Sequence, residues 1–141
     1  MNFIDVIGID VSKNVIDVCL HSSGLFRQFS NSKKGLVEFL KWVKIYTTNL
    51  KEVLFVFEDT GMYSYLITEE FSSNNLNYYI ASGLDIKRSM GITRGKDDII
   101  DAKRIALYGY RLKEEIQPTK TISKNILQLK SLLSLRSKLV K

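Results

Sequence analysis

Apolar residues follow two different spacings along this chain, and the change between them marks the predicted elements. Short, mostly apolar runs bounded by turn residues predict three strands at Phe3–Asp10, Val15–His21 and Leu25–Phe29. Ser12–Asn14 and Ser22–Gly24 separate these runs, and turns this short join antiparallel neighbours. The beginning of the chain is therefore predicted to form an antiparallel meander.

From Ser32 onward the apolar spacing becomes three and four residues, which predicts an amphipathic helix. The next predicted elements are, in order, strand Val53–Phe57, helix Tyr63–Phe71, strand Asn77–Ala81, a basic loop Gly83–Gly95 and helix Asp98–Lys113. A meander followed by strands that alternate with helices is the sequence outline of an RNase H-like α/β fold. We expect a mixed sheet with helices on both faces.

A leucine-rich stretch follows a linker at Gln117–Thr119 and repeats its apolar residues at spacings of three and four up to Val140. This stripe predicts a helix that needs a partner, as at the start of a coiled coil. It reaches Lys141 without a helix stop signal, so we expect the sequence to be cut from a longer protein. The predicted division is a folded domain at 1–116 and a coiled-coil-type helix at 119–141, through which the chain would form a homo-oligomer.

The composition excludes several classes of protein. The 141 residues are 45% hydrophobic, which excludes a disordered chain. No apolar run approaches the roughly 20 residues that cross a bilayer, and the N-terminus has no basic leader. The single Cys19 can form neither an internal disulfide nor a multi-cysteine metal site. We expect a cytoplasmic protein with no membrane partner.

The positive charge is concentrated in one part of the chain. Residues 83–141 carry 14 Lys or Arg against 6 Asp or Glu, whereas the preceding residues carry 7 against 9. A basic half of this kind fits a polyanion partner such as DNA. The same charge fits equally well a basic surface whose only effect is to aid solubility. Charge alone leaves both interpretations open.

Carboxylates end two of the predicted strands. Asp10 closes the first strand and Glu58 closes the fourth, and an RNase H-like sheet places those strands side by side. Asp98 and Asp101 are three residues apart on a predicted helix, so they would project from one face. Four converging carboxylates require cations, and hard oxygen ligands select Mg²⁺ or Mn²⁺. Two such ions about 4 Å apart stabilise the attacking and leaving oxygens in phosphoryl transfer.

Each carboxylate also has a purely structural interpretation. Asp10 fits the start of a turn, and Glu58 fits an ordinary loop after a strand. Asp98 fits the first turn of a helix, where its negative charge complements the helix dipole. Asp101 is harder to explain in this way because its neighbours are apolar. Three other aspartates are predicted to be surface acids: Asp5, Asp17 and Asp85.

Basic residues next to the predicted carboxylates are candidates for holding a phosphate backbone. They are Lys13, Lys87, Arg88, Arg94 and Lys96. The alternative is that the four residues between positions 87 and 96 form a solvated basic loop with no partner.

Three segments resemble the motifs of a known family. They are Ile7–Lys13 (IGIDVSK), Glu58–Tyr63 (EDTGMY) and Gly95–Ala102 (GKDDIIDA). These are similar to the GIDVSK, E-x-TG-x-Y and KTD-x-x-DA motifs of the DEDD transposases of insertion-sequence family 110 and the related Piv/MooV DNA invertases. One departure is Asp97, where the motif usually has Thr, and it leaves the four acids intact.

The resemblance implies that residues 1–116 form a RuvC-like catalytic domain with the RNase H fold. The four family acids map onto Asp10, Glu58, Asp98 and Asp101, which implies Mg²⁺- or Mn²⁺-dependent cleavage and transfer of DNA strands. The family's coiled coil leads to a second domain with a nucleophilic serine, which this sequence lacks. In at least some members a guide RNA from the same element is a further partner.

Three other functions remain open from the sequence. The first is a standalone RuvC-like Holliday-junction endonuclease, which needs no serine. The second is an ATP-binding domain of the sugar-kinase/actin type, although no second phosphate loop is evident. The third is a non-catalytic assembly module that acts through its terminal helix.

Overall fold

Five strands and four α-helices form the part of the chain that the structure describes. This computed structural model describes residues 3–89 and 101–115. The elements are β1 Asp5–Val11, β2 Val15–Leu20, β3 Phe26–Ser30, α1 Lys33–Tyr46, β4 Val53–Glu58, α2 Tyr65–Ser73, β5 Asn77–Ala81, α3 Gly83–Ser89 and α4 Ala102–Leu112. Two 3₁₀ turns, Leu50–Glu52 and Gly61–Ser64, precede β4 and α2.

The strands form one mixed sheet in the order β3-β2-β1-β4-β5. The first three strands pair antiparallel, as the short turns predicted, while β4 lies parallel to both β1 and β5. Strand β1 is therefore central and has one antiparallel and one parallel neighbour. The predicted mixed α/β sheet, consistent with an RNase H-like fold, is confirmed.

The two faces of the sheet are covered by different helices. Because side chains alternate along a strand, β1 directs Ile7 and Ile9 to one face and Gly8 and Asp10 to the other. The first face packs against α1 and α2 and is called here the α1/α2 face. The second packs against α3 and α4 and is called the α4 face.

Large rings fill the α1/α2 face. Those with essentially no exposed surface are Phe39, Phe55, Phe57, Phe71 and Tyr78. The rings of Phe55 and Phe71 have centroids 4.7 Å apart, and Phe39 meets Phe55 edge-on at 6.0 Å. Such arrangements add to the free energy of burying the rings. Strand β4 is apolar at every position from Val53 to Phe57 because Leu54 and Val56 are buried in the α4 face as well.

Small residues allow α4 to approach the sheet closely. A side chain on Gly8 of β1 would collide with the backbone of Ala102 and Ala106 in α4. On the same helix, a side chain on Gly109 would press against Val56 and Val6. The backbones of α4 and β1 are therefore in contact near the first turn of the helix, which fixes where α4 begins relative to the end of β1.

Two predicted boundaries are wrong. The helix predicted over Asp98–Lys113 does not include Asp101, which is extended (φ −100°, ψ 172°) and directly precedes α4. The basic loop predicted from Gly83 begins instead as helix α3, because Ile86 has an apolar core to bury into.

The predictions for the linker and for the coiled-coil helix at 119–141 lie outside the described residues, and the domain boundary at 116 stays a prediction. None of the helices within residues 3–89 and 101–115 has the length and apolar character needed to cross a membrane.

Candidate functional site

Asp10 and Glu58 lie next to each other at one edge of the sheet. Strands β1 and β4 are parallel with Ile9 opposite Phe57, so the following residues, the two carboxylates, are also neighbours. Both belong to the alternation that faces α4, since Gly8 precedes Asp10 by two positions and Val56 precedes Glu58 by two. The carboxyl ends of parallel strands are where α/β folds bind ligands.

Asp101 is the cap of α4 rather than a residue of its first turn. Its Oδ1 accepts a hydrogen bond from the backbone N–H of Arg104 at 2.9 Å, which is the usual role of an aspartate at this position. Since Ala102 rests on Gly8, the capping residue stands at the same edge of the sheet as Asp10. The expectation that Asp98 and Asp101 share a helix face is therefore wrong for Asp101, and Asp98 lies outside the described residues.

The pKa of Asp10 shows that carboxylates converge on it. This pKa is raised from 3.8 to about 6, first by burial of the carboxyl and then by the negative charges of Asp17, Glu58 and Asp101, in that order. All three neighbours disfavour the ionised form of Asp10. A cation bound at this edge would reverse the effect, because it would stabilise the carboxylate that its neighbours repel.

Asp17 is part of this group although the sequence predicts only a surface acid. It lies half-buried directly opposite Asp10 in the β1–β2 pair. Gln28 of β3 donates a hydrogen bond from Nε2 to Asp17 Oδ1 at 2.8 Å. The predicted turn at Ser12–Asn14 does not yield this pairing, because a hairpin centred on Lys13 sets residue 10 against residue 16, whereas the observed hairpin pairs Asp10 with Asp17.

The turn after Glu58 is held by hydrogen bonds of its own residues. Asp59 Oδ1 accepts from the N–H of Gly61 at 3.0 Å, and Gly61 has a φ of +65°, a conformation that favours glycine. The N–H of Thr60 donates to Ser64 Oγ at 3.1 Å. These contacts explain the Thr-Gly pair of the motif in physical terms, since both residues shape the chain that leaves the site.

Asn31 connects the two segments that follow the strand-end acids. Its Nδ2 donates to the carbonyl of Ser12 at 2.8 Å and to the carbonyl of Tyr63 at 3.0 Å. Ser12 lies two residues after Asp10, and Tyr63 lies in the turn after Glu58. Asn31 therefore fixes the distance between two motifs that are far apart in sequence.

The first residue of α3 packs directly on the Glu58 side chain. A Cβ at Gly83 would overlap the Glu58 carboxylate, with Oε1 as its nearest atom. The absence of a side chain at position 83 thus leaves the room in which the carboxylate sits.

The donor chemistry of this edge suits a hard divalent cation, because every candidate ligand is a carboxylate. In the described ranges, 3–89 and 101–115, no three Asp, Glu, His or Cys side chains come close enough together to hold a metal ion. The fourth family acid, Asp98, lies outside those ranges. The described edge therefore supplies carboxylates of the right kind but not a closed set of ligands.

The predicted phosphate-binding residues fall into two groups. Lys13 is exposed in the β1–β2 turn, and Lys87 and Arg88 are exposed in the last turn of α3. Arg94 and Lys96 lie outside the described residues. Lys13 follows Asp10 by three residues along the chain, and the helix that carries Lys87 and Arg88 packs its first residue, Gly83, on the Glu58 side chain.

Comparison with known proteins gives two findings. A family model described as a transposase matches residues 7–141. A pilin gene-inverting protein from Moraxella lacunata is 30% identical over 135 residues, which cover 92% of this chain and 41% of that protein. The chain thus spans less than half the length of the relative it matches.

Proposed function

Because the chain belongs to the DEDD transposases of insertion-sequence family 110, we propose that it is the metal-dependent catalytic domain of a longer DNA recombinase. The domain cleaves and transfers DNA strands, and Asp10, Glu58, Asp98 and Asp101 together hold Mg²⁺ or Mn²⁺. The bound ions would stabilise the attacking and leaving oxygens of the phosphodiester.

The grouping of Asp10, Glu58 and Asp101 at one edge of the sheet carries this proposal. Three separate segments, the ends of β1 and β4 and the start of α4, deliver a carboxylate there. The raised pKa of Asp10 supports the same conclusion, since burial and its acidic neighbours leave its negative charge uncompensated. Asp101 also caps α4, but that role does not account for two further carboxylates at the same edge.

The basic residues have a separate role in the proposal. Lys13, Lys87, Arg88, Arg94 and Lys96 neutralise phosphates on either side of the scissile bond, which orients the backbone relative to the carboxylates. Asn31 and Gly83 keep the segments around Asp10 and Glu58 in place for this.

The rest of the activity belongs to a longer protein in this proposal. A second domain would supply a serine nucleophile, and the helix at 119–141 would join protomers into a homo-oligomer. A guide RNA from the same element would select the DNA. The length of the Moraxella lacunata relative, of which this chain covers 41%, leaves room for such a domain.

The test is the substitution Asp10→Asn in the full-length recombinase, with recombination of a donor and a target plasmid as the measurement. We expect recombination to fall by at least about a hundredfold, because the amide cannot serve as an anionic metal ligand. Asp85→Asn is the matched control, since Asp85 is an exposed acid on α3. Circular dichroism checks that both variants are folded.

Normal recombination by the Asp10→Asn variant would contradict the metal assignment. Metal-dependent cutting of four-way DNA junctions by the 141-residue chain alone would instead favour the standalone endonuclease. If removal of residues 119–141 abolished the oligomers but left the metal-dependent chemistry, the helix would serve assembly and the domain at 1–116 would serve catalysis.

A further inference from the structure

Strand β3 exposes an aromatic ring on the same face as the carboxylates. On the α4 face, helix α4 packs against β1, β2 and β4, while the edge strand β3 keeps its side chains there open to solvent. Phe26 is 62% exposed, although a phenylalanine on a strand is normally buried. The ring is therefore accessible to a ligand on the α4 face.

The register of the sheet connects Phe26 to the candidate site. Asp10 of β1 lies opposite Asp17 of β2, which lies opposite Gln28 of β3, so these three residues form one row across the strands. Phe26 lies two residues before Gln28 and belongs to the next row, opposite Cys19. Two residues of a strand span about 7 Å, so the ring is one nucleotide step away from the acidic row.

Helix α4 places positive charge beside this ring. Between Ala102 and Leu112 it carries Lys103, Arg104 and Arg111 and no acidic residue. Cys19, the strand position opposite Phe26, packs against Ala102 and Ala106 of α4, and Lys103 is the exposed residue that follows Ala102.

A second aromatic residue continues the same side of α4. Tyr110 follows Lys103 by seven residues, or about two helical turns, and is 42% exposed. Its ring stacks on His21 with centroids 4.0 Å apart, and Lys113 Nζ lies 4.4 Å from its centroid. Basic and aromatic side chains therefore alternate along a path that begins at the carboxylates. We call Phe26, Gln28, Lys103, Tyr110 and Lys113 the β3–α4 strip.

We infer that the β3–α4 strip binds a single-stranded segment of DNA and leads it to the carboxylates. An unpaired base stacks on Phe26, and Lys103 and Lys113 contact the phosphates next to it. This combination of exposed rings and a basic groove is how proteins hold single strands without reading their sequence. The inference rests on the proposed function, because that function defines DNA as the strand to be cut.

Charge argues against a second copy of the chain as the occupant of the strip. A two-fold symmetric contact would bring the same surface of both copies together, and thus Lys103 and Lys113 of one copy towards those of the other. A polyanion such as DNA is instead attracted by both of these lysines.

Equilibrium binding of a labelled single strand tests the inference. The probe is fluorescein-labelled single-stranded DNA of about 20 nucleotides, followed by anisotropy with the 141-residue chain in EDTA, so that no cleavage contributes. We expect Phe26→Ala to weaken binding about tenfold and Phe26→Trp to restore it, since stacking on a base is what the ring supplies. Lys103→Ala should weaken binding at low salt and reduce the slope of log K against log salt by about one.

Matched controls come from the opposite face of the sheet. Ile45→Ala removes a side chain that is 72% exposed on α1, and Lys44→Ala removes an exposed lysine beside it. Both variants should bind the probe as the unchanged chain does.

Three results would overturn the inference: an unchanged chain that does not bind the probe, a Phe26→Ala variant that binds it normally, or tighter binding of an RNA of the same sequence. A change in oligomeric state on Phe26→Ala, measured by light scattering, would assign the strip to a second copy instead. None of these results depends on recombination. The DNA-binding experiments test the β3–α4 strip, and the Asp10→Asn variant tests the metal-dependent chemistry. Either hypothesis can therefore be contradicted without the other.

Discussion

The two faces of the sheet are built on opposite principles. The α1/α2 face is thick, because aromatic rings from two helices and three strands fill the space between the layers. The α4 face is thin, because Gly8, Ala102, Ala106 and Gly109 allow a helix to lie almost directly on the strands. One face is held by buried area and the other by close approach of backbones.

The residues that stabilise the fold and the candidate site residues lie on different faces of the sheet. The candidate carboxylates are all on the thin face or at its edge, and the rigid spacing of α4 against β1 determines how close Asp101 comes to Asp10. The thick face contributes apolar burial but no candidate ligand. Substitutions on the two faces should therefore have separable consequences.

The largest expected effect on stability comes from Phe71→Ala on the α1/α2 face. The ring is fully buried and contacts four other rings, so its removal leaves a cavity in the core. We expect the free energy of unfolding to fall by about 3–5 kcal/mol. Urea denaturation measures this loss, and Phe71→Leu should recover a substantial part of it. If the two variants were equally stable, buried apolar area would not be what stabilises this face.

Gly8→Ala on the α4 face should cost less stability but more function. Its Cβ meets backbone atoms of α4, which have no rotamer by which to avoid it, so the helix must move. We expect a loss of about 2–3 kcal/mol by denaturation and no recombination at temperatures where the variant is still folded.

The control for Gly8→Ala is Gly24→Ala. Gly24 has a φ of +72° and no neighbouring atoms around its Cβ position, so its substitution costs about 1 kcal/mol through backbone strain. Recombination should be unaffected by it. Full activity of Gly8→Ala would show that the close approach of α4 has no functional role.

The smallest expected effect is a dependence of stability on pH. The pKa of Asp10 is about 6 in the folded chain and 3.8 ordinarily, so between these values the folded state binds the proton more tightly than the unfolded state. Without divalent metal, stability should therefore fall as pH rises from about 4 to about 6 and level off above that, by about 1 kcal/mol for this half-exposed group.

Asp10→Asn should remove most of this pH dependence and raise the midpoint of thermal unfolding near neutral pH. Parallel melts at pH 4 and pH 7, with Asp85→Asn as the control, measure it. An unchanged pH dependence in Asp10→Asn would show that the acidic neighbours do not repel Asp10.

Much of the fold was predictable because turn residues and a helix cap mark several elements within a few residues of sequence. The meander follows from turns within the first 30 residues, and α1 begins as predicted after Ser32, whose hydroxyl accepts from the N–H of Gly35 at 3.1 Å. Helix α3 was missed because its seven residues bury only Ile86, which is too little for a periodic pattern. The start of α4 was misplaced because a capping aspartate and a helical one look alike in sequence.

The candidate site was predictable only where strand ends determine it. The juxtaposition of Asp10 and Glu58 follows from the fold class, since adjacent parallel strands end at the same edge. Asp17 was predicted to be a surface acid, because its place opposite Asp10 depends on the exact register of the hairpin, which the predicted turn did not fix. The contact of Gly83 with Glu58 and the two hydrogen bonds of Asn31 depend on three-dimensional packing, which no local pattern encodes.

The mixed pairing of β1 has a consequence for the order in which the chain folds. Its hairpin with β2 closes a short loop, whereas its pairing with β4 joins residues about 50 positions apart and pays a larger loop-closure entropy. We expect the meander, with Asp10 and Asp17, to form before β4 and α4 dock. A nascent chain would then hold only part of its carboxylates together, and the proposed metal site would form with the last step of folding.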